Sequence, residues 1–245
     1  MASNPLQQFE IQKIVDLSLA GYDISLTNHS LWTMLAVSVT TLLMFVASRK
    51  LSMVPHRAQS LVELTVGFIS NLTQETAGKN AAKFVPVIAT IFLFIASVNL
   101  FGMIPGSYTG TSQMFTTGML AVGVFAMVII TGFYTQGLGF LKLFYPDGTP
   151  WWLAPLIVLL EVISFFARPV TLALRLGANM MAGHILLKVF ATFVVMLLAA
   201  LPPLLILPLA MTIALTGLEI GVALLQAYIF TILTCVYLHD ALYGH

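Results

Sequence analysis

The longest apolar region of the chain runs from Trp151 to Leu201, and its length limits how the chain can fold. One helix over this region would be roughly 76 Å long, more than twice the roughly 30 Å thickness of a hydrocarbon layer. The region is therefore either one steeply tilted helix or two spans broken between Pro169 and Gly183, and periodicity does not decide between them. Pro202-Pro203 ends it, because proline donates no backbone hydrogen bond and disfavours helical geometry in the preceding residue.

Composition indicates a polytopic membrane protein. Only 8% of the 245 residues are charged and 59% are hydrophobic, whereas soluble domains carry about 25% charged residues. A net charge of +1 from scattered basic residues gives no indication of nucleic-acid binding. The single Cys235 excludes an internal disulfide and a cysteine-based metal site, and no phosphate-binding loop or nucleophile motif predicts a cofactor or a catalytic site.

The chain is predicted to be a single all-α membrane domain over residues 1–245. Its predicted parts are an N-terminal surface tail at 1–30, a first span at 31–48, an amphipathic surface helix at 58–77, a helical hairpin at 84–104 and 114–134, and a long hairpin at 151–201 and 204–240 that turns at Pro202-Pro203. Five basic residues lie between the first two spans, so this loop lies on the side that is not translocated and the N-terminus lies outside.

The amphipathic helix is predicted to lie on the inner membrane surface. Its apolar residues recur at helical spacing: Leu61, Leu64, Phe68, Ile69 and Leu72. They are opposed by Glu63, Asn71 and Glu75. This pattern is typical of a helix at a membrane interface.

Five polar residues interrupt the longest apolar region: Glu161, Arg168, Arg175, Asn179 and His184. A charge at bilayer depth costs roughly 2.5 to 3.5 kcal/mol even on mild insertion scales, so such residues are expected to have a function. On an ideal helix the first four lie within about 40° of one another, whereas His184 points about 180° away from Arg175.

The last apolar region carries a second polar stripe, formed by Thr212, Thr216, Glu219 and Gln226 on one helix face. Gly217 and Gly221 lie on the opposite face, where such small residues allow another helix to approach closely.

A hairpin at Pro202 would place residues that are equally far from the turn at the same depth. The pairs predicted in this way are His184 with Glu219, and Asn179 and Arg175 with Gln226. One conflict arises, because His184 and Arg175 point in opposite directions while their predicted partners share a face. A kink near Pro169 or Gly177 would resolve it.

The depth order predicts a proton relay, with His184 and Glu219 nearer the outside, Arg175 near mid-depth and Glu161 nearer the inside. His and Glu can exchange protons near neutral pH inside a membrane. An arginine keeps its proton, so Arg175 would block a continuous relay. As a buried cation it needs a carboxylate, supplied either by Glu161 or by another protein.

These residues carry a family likeness. The chain resembles subunit a of rotary F-type ATP synthases in RLGANMMAGH at 175–184, in the preceding Glu161, in GLEIGVALLQAYIFTILTCVYL with its Glu219 and Gln226, in VPHRAQSLVE around Arg57, and in NLFGMIP at 99–105. The resemblance covers nearly the whole chain.

The resemblance implies a stator subunit with two long, strongly tilted helices against a rotating ring of c subunits, which favours the single helix. It implies that Arg175 faces a ring carboxylate and separates two offset half-channels. Asn179 and Gln226 would line its surroundings, His184 and Glu219 the outer half-channel, and Glu161 the inner one. It further implies c-ring and b-type peripheral-stalk partners and an energy-transducing inner membrane, mitochondrial or alphaproteobacterial.

Other interpretations stay open at this point. The chain could be a stand-alone secondary transporter or ion channel, or a structural membrane anchor. Arg168 could satisfy carbonyls freed by Pro169, Arg175 could form a structural ion pair with Glu161, and Lys188 could extend toward the interface. The choice between H⁺ and Na⁺ would lie largely in the ring.

Overall fold

The computed structural model describes most of the chain as helix. The residues described are 13–16, 18–19, 22–23, 25–49, 55–104, 107, 110–137, 139–140, 153–200 and 206–243. Within them the helices are α1 (Asn28–Arg49), α2 (Arg57–Ala77), α3 (Val85–Gly102), α4 (Met114–Gln136), α5 (Ala154–Ala200) and α6 (Ile206–Tyr243). Short 3-10 helices cover Lys79–Phe84 and Gly110–Ser112. Five helical segments, all except α2, are long and apolar enough to cross a membrane, so the chain is an all-α, polytopic membrane protein.

Helix α5 is continuous over its 47 residues and contains Pro169 in its interior. The alternative of two spans broken near Pro169 is therefore wrong. A helix of this length is roughly 70 Å long and fits within a hydrocarbon layer of about 30 Å only if it is strongly tilted. The predicted turn at Pro202-Pro203, which joins α5 to α6, lies outside the described residues.

Helix α6 occupies the centre of the protein, since α2, α3, α4 and α5 all pack against it. One buried cluster combines residues of α3 to α6, including Ile95, Val128, Leu176 and Phe230. A second joins α2 and α3 to the last turns of α6. Helix α1 packs mainly on α3 and leaves most of its apolar surface uncovered, as a lipid-facing helix does.

Helix α2 has one apolar side that the protein leaves exposed and another that it covers. Ile69 and Leu72 are buried, as a packed apolar face requires, but Leu61 and Leu64 are 53% and 74% exposed. The protein-facing side instead carries Ile69, Thr73 and Ala77, about 140° to 220° around the helix from Leu64. The sequence pattern identified an amphipathic helix, but which side the rest of the protein covers depends on where α6 lies.

The described residues of the predicted surface tail contain regular secondary structure. Two short antiparallel strand pairs occur: β1 (Lys13–Val15) with β4 (Leu26–Thr27), and β2 (Ser18–Leu19) with β3 (Tyr22–Asp23). Helix α1 then begins at Asn28, earlier than predicted. The backbone N–H of Thr27 donates to Ser30 Oγ at 3.0 Å and the N–H of Ser30 donates back to Thr27 Oγ1 at 3.3 Å. This reciprocal capping explains the early start.

Candidate functional site

The outermost polar pair of the long hairpin joins α5 to α6. His184 Nδ1 lies 3.5 Å from Glu219 Oε1, so the structure brings together the two residues whose spacing from Pro202 predicted a common depth. Glu219 is only 4% exposed. Neither of its carboxylate oxygens receives a hydrogen bond from the described residues. A buried carboxylate without hydrogen-bond donors is costly away from water unless a cation pairs with it or a proton neutralises it. Glu219 therefore needs a neighbouring group that can supply a proton.

Gly183 creates the space that the Glu219 side chain occupies. A Cβ atom at this position would lie 2.7 Å from Glu219 Oε1, closer than real Cβ contacts, and 3.1 Å from its Cδ, closer than most. Glu219 therefore crosses directly over α5 at Gly183 to approach His184. Gly183 was not predicted as a site residue, although it immediately precedes His184 in the chain.

The next pair lies deeper along the same hairpin. Asn179 Nδ2 donates a hydrogen bond to Gln226 Oε1 at 3.3 Å. Gln226 is buried, whereas Asn179 lies at the exposed edge of α5. This second pair also joins residues whose distances from Pro202 predicted a common depth.

The conflict in direction between Arg175 and His184 is resolved without requiring a kink. The side of α5 that faces α6 carries Leu176, Met180 and Gly183. On an ideal helix Asn179 and His184 lie about 70° to either side of that face, so both reach α6 from opposite flanks.

Arg175 lies at the surface of the protein, on the same stripe of α5 as Arg168. It is exposed, and no carboxylate of the described residues lies within 4.0 Å of its guanidinium. Gly177, on the opposite side of α5, packs against α4, where a Cβ would lie 3.3 Å from Thr117 Oγ1. Packing on α4 thus directs Arg175 outward. The predicted alternative of an ion pair between Arg175 and Glu161 is wrong.

Arg168 forms the innermost polar cluster, with two acids. Its Nη1 lies 3.0 Å from Asp240 Oδ2 and its Nη2 lies 3.9 Å from Glu161 Oε1. Its guanidinium also lies 5.0 Å from the centre of the Tyr237 ring. Arg168 therefore connects α5 to α6 through these side chains, rather than only satisfying carbonyls near Pro169.

Asp240 was not predicted as a site residue, although it is the last residue of the predicted helix at 204–240. A signal was available, because counting from Pro202 brings Asp240 within about one helical turn of Arg168. Lys188 is half-buried one turn beyond His184 and forms no ion pair among the described residues. The predicted site residues thus fall on three successive levels: an outer level with His184 and Glu219, a middle level with Asn179 and Gln226, and an inner level with Arg168 and Glu161. Arg175 lies beside the middle level.

A groove of about 390 Å³ runs between α5 and α6 and connects the two outer levels. Asn179 and Glu219 are its polar lining residues, and Gly183, Leu186, Leu215 and Leu218 are among its apolar ones. At about 30 Å³ per molecule of liquid water, a groove of this volume has room for on the order of ten waters. It can therefore hydrate the otherwise unsatisfied Glu219 carboxyl group.

This fold and site define a multi-pass membrane protein whose ionisable groups are paired between its two longest helices. Residues 30–239 match the sequence family described as "ATP synthase A chain". The chain is 47% identical to the ATP synthase subunit a of Rhizobium meliloti (strain 1021) and 45% identical to that of Chelativorans sp. (strain BNC1), each over the full length of both chains. The chain belongs to the ATP synthase A chain family.

Family membership establishes three general properties of the chain. The chain is a multi-pass protein of the inner membrane, it is a membrane subunit rather than a catalytic one, and it works with other ATP synthase subunits. The relatives named above are alphaproteobacterial, so a mitochondrial origin remains only a prediction.

Proposed function

We propose that the chain conducts protons for an F-type ATP synthase, through two offset half-channels that Arg175 separates. The observation that carries this proposal is the position of Arg175: exposed, without a carboxylate partner among the described residues, and beside the level where Asn179 bonds to Gln226. A permanent cation at membrane depth requires an anion, and an outward-pointing guanidinium is suited to one on a neighbouring subunit.

The outer half-channel would consist of the groove, Glu219 and His184. A proton entering from the outer side would be held at a carboxylate oxygen of Glu219 or at a ring nitrogen of His184. The 3.5 Å separation of these groups allows them to share it after a small movement. From there it would protonate a carboxylate on the c ring.

The inner half-channel would begin at Glu161, which lies on the lowest level with Arg168 and Asp240. The ring carboxylate would release its proton toward this level after rotation. Arg175 would attract the ionised ring carboxylate and keep protons from passing directly between the half-channels, because it does not release its own proton.

The c ring is the proposed partner for the face that carries Arg175. Gly217 and Gly221 support close contact between α6 and another helix, since a Cβ at either position would meet nothing within 4 Å. A b-type peripheral stalk and other membrane subunits are proposed as further partners from the family relationship.

Arg175→Ala in the intact ATP synthase tests the proposal. Proton-driven ATP synthesis is expected to fall by about two orders of magnitude or more, because the charge that acts on the ring carboxylate is lost. Arg49→Ala is the matched control, since Arg49 is an exposed arginine at the end of α1. Near-normal synthesis by assembled Arg175→Ala complexes would refute the proposed role.

A further inference from the structure

Two buried polar side chains outside the site connect α3 to α6. Asn99 Nδ2 donates a hydrogen bond to the backbone oxygen of Ala223 at 3.1 Å. The hydroxyl of Thr111 donates to Asn99 Oδ1 at 2.6 Å. Asn99 and Thr111 are 0% and 1% exposed. We call Asn99, Thr111 and the Ala223 carbonyl the polar brace.

Thr111 determines which way the Asn99 amide points. The amide oxygen can only accept hydrogen bonds and the amide nitrogen can only donate them. A hydroxyl that donates to Oδ1 therefore leaves the NH₂ group directed at α6. Without that hydroxyl, Oδ1 would be buried without its donor, which is unfavourable in an apolar interior.

The polar brace meets α6 at a position that matters for the site. Ala223 lies one turn beyond Glu219 and just before Gln226, between the residues that α6 contributes to the two outer levels. A backbone carbonyl has two lone pairs, so Ala223 can accept from Asn99 without breaking the helix. The bond therefore fixes the height of α6 between Glu219 and Gln226.

The segment Gly110–Ser112 that carries Thr111 also contacts α5. The backbone oxygen of Thr111 lies 3.8 Å from the Cβ position of Gly177, which is between Arg175 and Asn179 in the chain. One short segment thus touches α5 at the level of Arg175, on the opposite side of the helix, and holds α6 through Asn99.

The segment itself is held firmly in place. His29 Nε2 lies 3.1 Å from the Gly110 oxygen and 3.0 Å from Thr116 Oγ1, so this histidine links the segment to α1 and α4. A Cβ at Gly110 would lie 2.6 Å from Thr33 Oγ1 and 2.8 Å from Val98 Cγ1, so the backbone is seated tightly on α1 and α3.

We propose that Asn99 and Thr111 are positioning residues that set the height of α6 relative to Arg175 and so keep the two half-channels offset. This inference rests on the proposed function. If it is right, removing the Thr111 hydroxyl should impair the coupling of proton flow to ATP hydrolysis in complexes that assemble normally.

The experiment compares Thr111→Val with Thr111→Ser in intact ATP synthase reconstituted into liposomes. Valine keeps the shape of threonine but lacks the hydroxyl, and serine keeps the hydroxyl. The measured quantity is the number of protons pumped per ATP hydrolysed by each assembled complex. Thr234→Val is the matched control, because Thr234 is equally buried but its hydroxyl, among the described residues, bonds within α6 to Phe230 O.

We expect Thr111→Val to reduce this ratio about tenfold, as loss of a buried hydrogen bond at a positioning contact would, with Thr111→Ser and Thr234→Val close to normal. A normal ratio in Thr111→Val, or an equal loss in Thr111→Ser, would overturn the inference. If Thr111→Val does not assemble, Thr111→Ala takes its place. If neither Thr111→Val nor Thr111→Ala assembles but Thr111→Ser does, the hydroxyl is needed for folding, and this result would also overturn the inference.

Arg175→Ala, measured in parallel, separates this inference from the function on which it rests. If Thr111→Val has a normal ratio and Arg175→Ala is inactive, only the positioning role of Thr111 is rejected. Activity in Arg175→Ala would instead remove the proposed function.

Discussion

Glu219 lies 3.5 Å from His184, and its carboxyl group reaches that position by crossing α5 above a glycine. The relationship depends as much on the absent side chain of Gly183 as on the two ionisable groups. A carboxyl group without hydrogen-bond donors among the described residues keeps its position only if the surrounding packing holds it there.

Gly183→Ala is therefore expected to impair proton conduction. The added methyl group would lie 2.7 Å from Glu219 Oε1 and would push the carboxyl group away from His184. Alanine is the better helix former, so helix propensity does not account for a loss. We expect ATP-driven proton pumping by assembled complexes to fall about tenfold, as overpacking of a close contact by 1 to 2 kcal/mol would produce. Gly123→Ala on α4, where a Cβ meets nothing within 4 Å, should pump normally. Equal pumping by both variants would contradict this account.

The ion pair between Arg168 and Asp240 is expected to stabilise the inner end of the long hairpin. Asp240→Asn should lower the free energy of unfolding by about 1 to 3 kcal/mol, because a charge-assisted hydrogen bond between largely buried groups is weakened. The measurement is denaturation in mixed micelles for Asp240→Asn, Arg168→Gln and the double variant. A coupling energy near zero in this cycle would show that the two side chains act independently. Glu63→Gln, which alters an exposed acid on α2, is the control.

The hydrogen bond between Asn179 and Gln226 predicts a non-additive result. Asn179→Leu and Gln226→Leu should each reduce proton pumping about tenfold, because each leaves the other amide without its partner. The double variant should pump protons at least as fast as the less active of the two single variants, since it leaves neither amide unpaired. Thr216→Val is the control on the same helix, because its hydroxyl bonds only to Thr212 O. Multiplicative losses in the double variant would indicate that the two residues act separately.

The levels of the site were predictable from the sequence because a helical hairpin has simple geometry. With 1.5 Å per residue in both helices, distance from Pro202-Pro203 fixes depth, and this placed His184 with Glu219 and Asn179 with Gln226. The same counting applied to every polar residue would also have found Asp240. Depth is thus determined by chain position alone.

Direction around each helix is not determined in that way. The sequence left open whether Pro169 breaks α5, it did not indicate which side of α2 the protein covers, and it gave no indication that Asn99 bonds to Ala223. These outcomes depend on which neighbouring helix covers each face, and that is set by packing among residues far apart in the chain.

The sequence by itself determined that this chain crosses the membrane several times and at which depths its ionisable groups lie, because apolar length and helical rise are local properties. Only the tertiary structure decided that Arg175 faces outward and that Arg168 pairs with both Glu161 and Asp240. It also decided that Gly183 leaves space for the Glu219 side chain. The physical reason is that contacts between side chains depend on how helices pack against one another, which no single helix specifies.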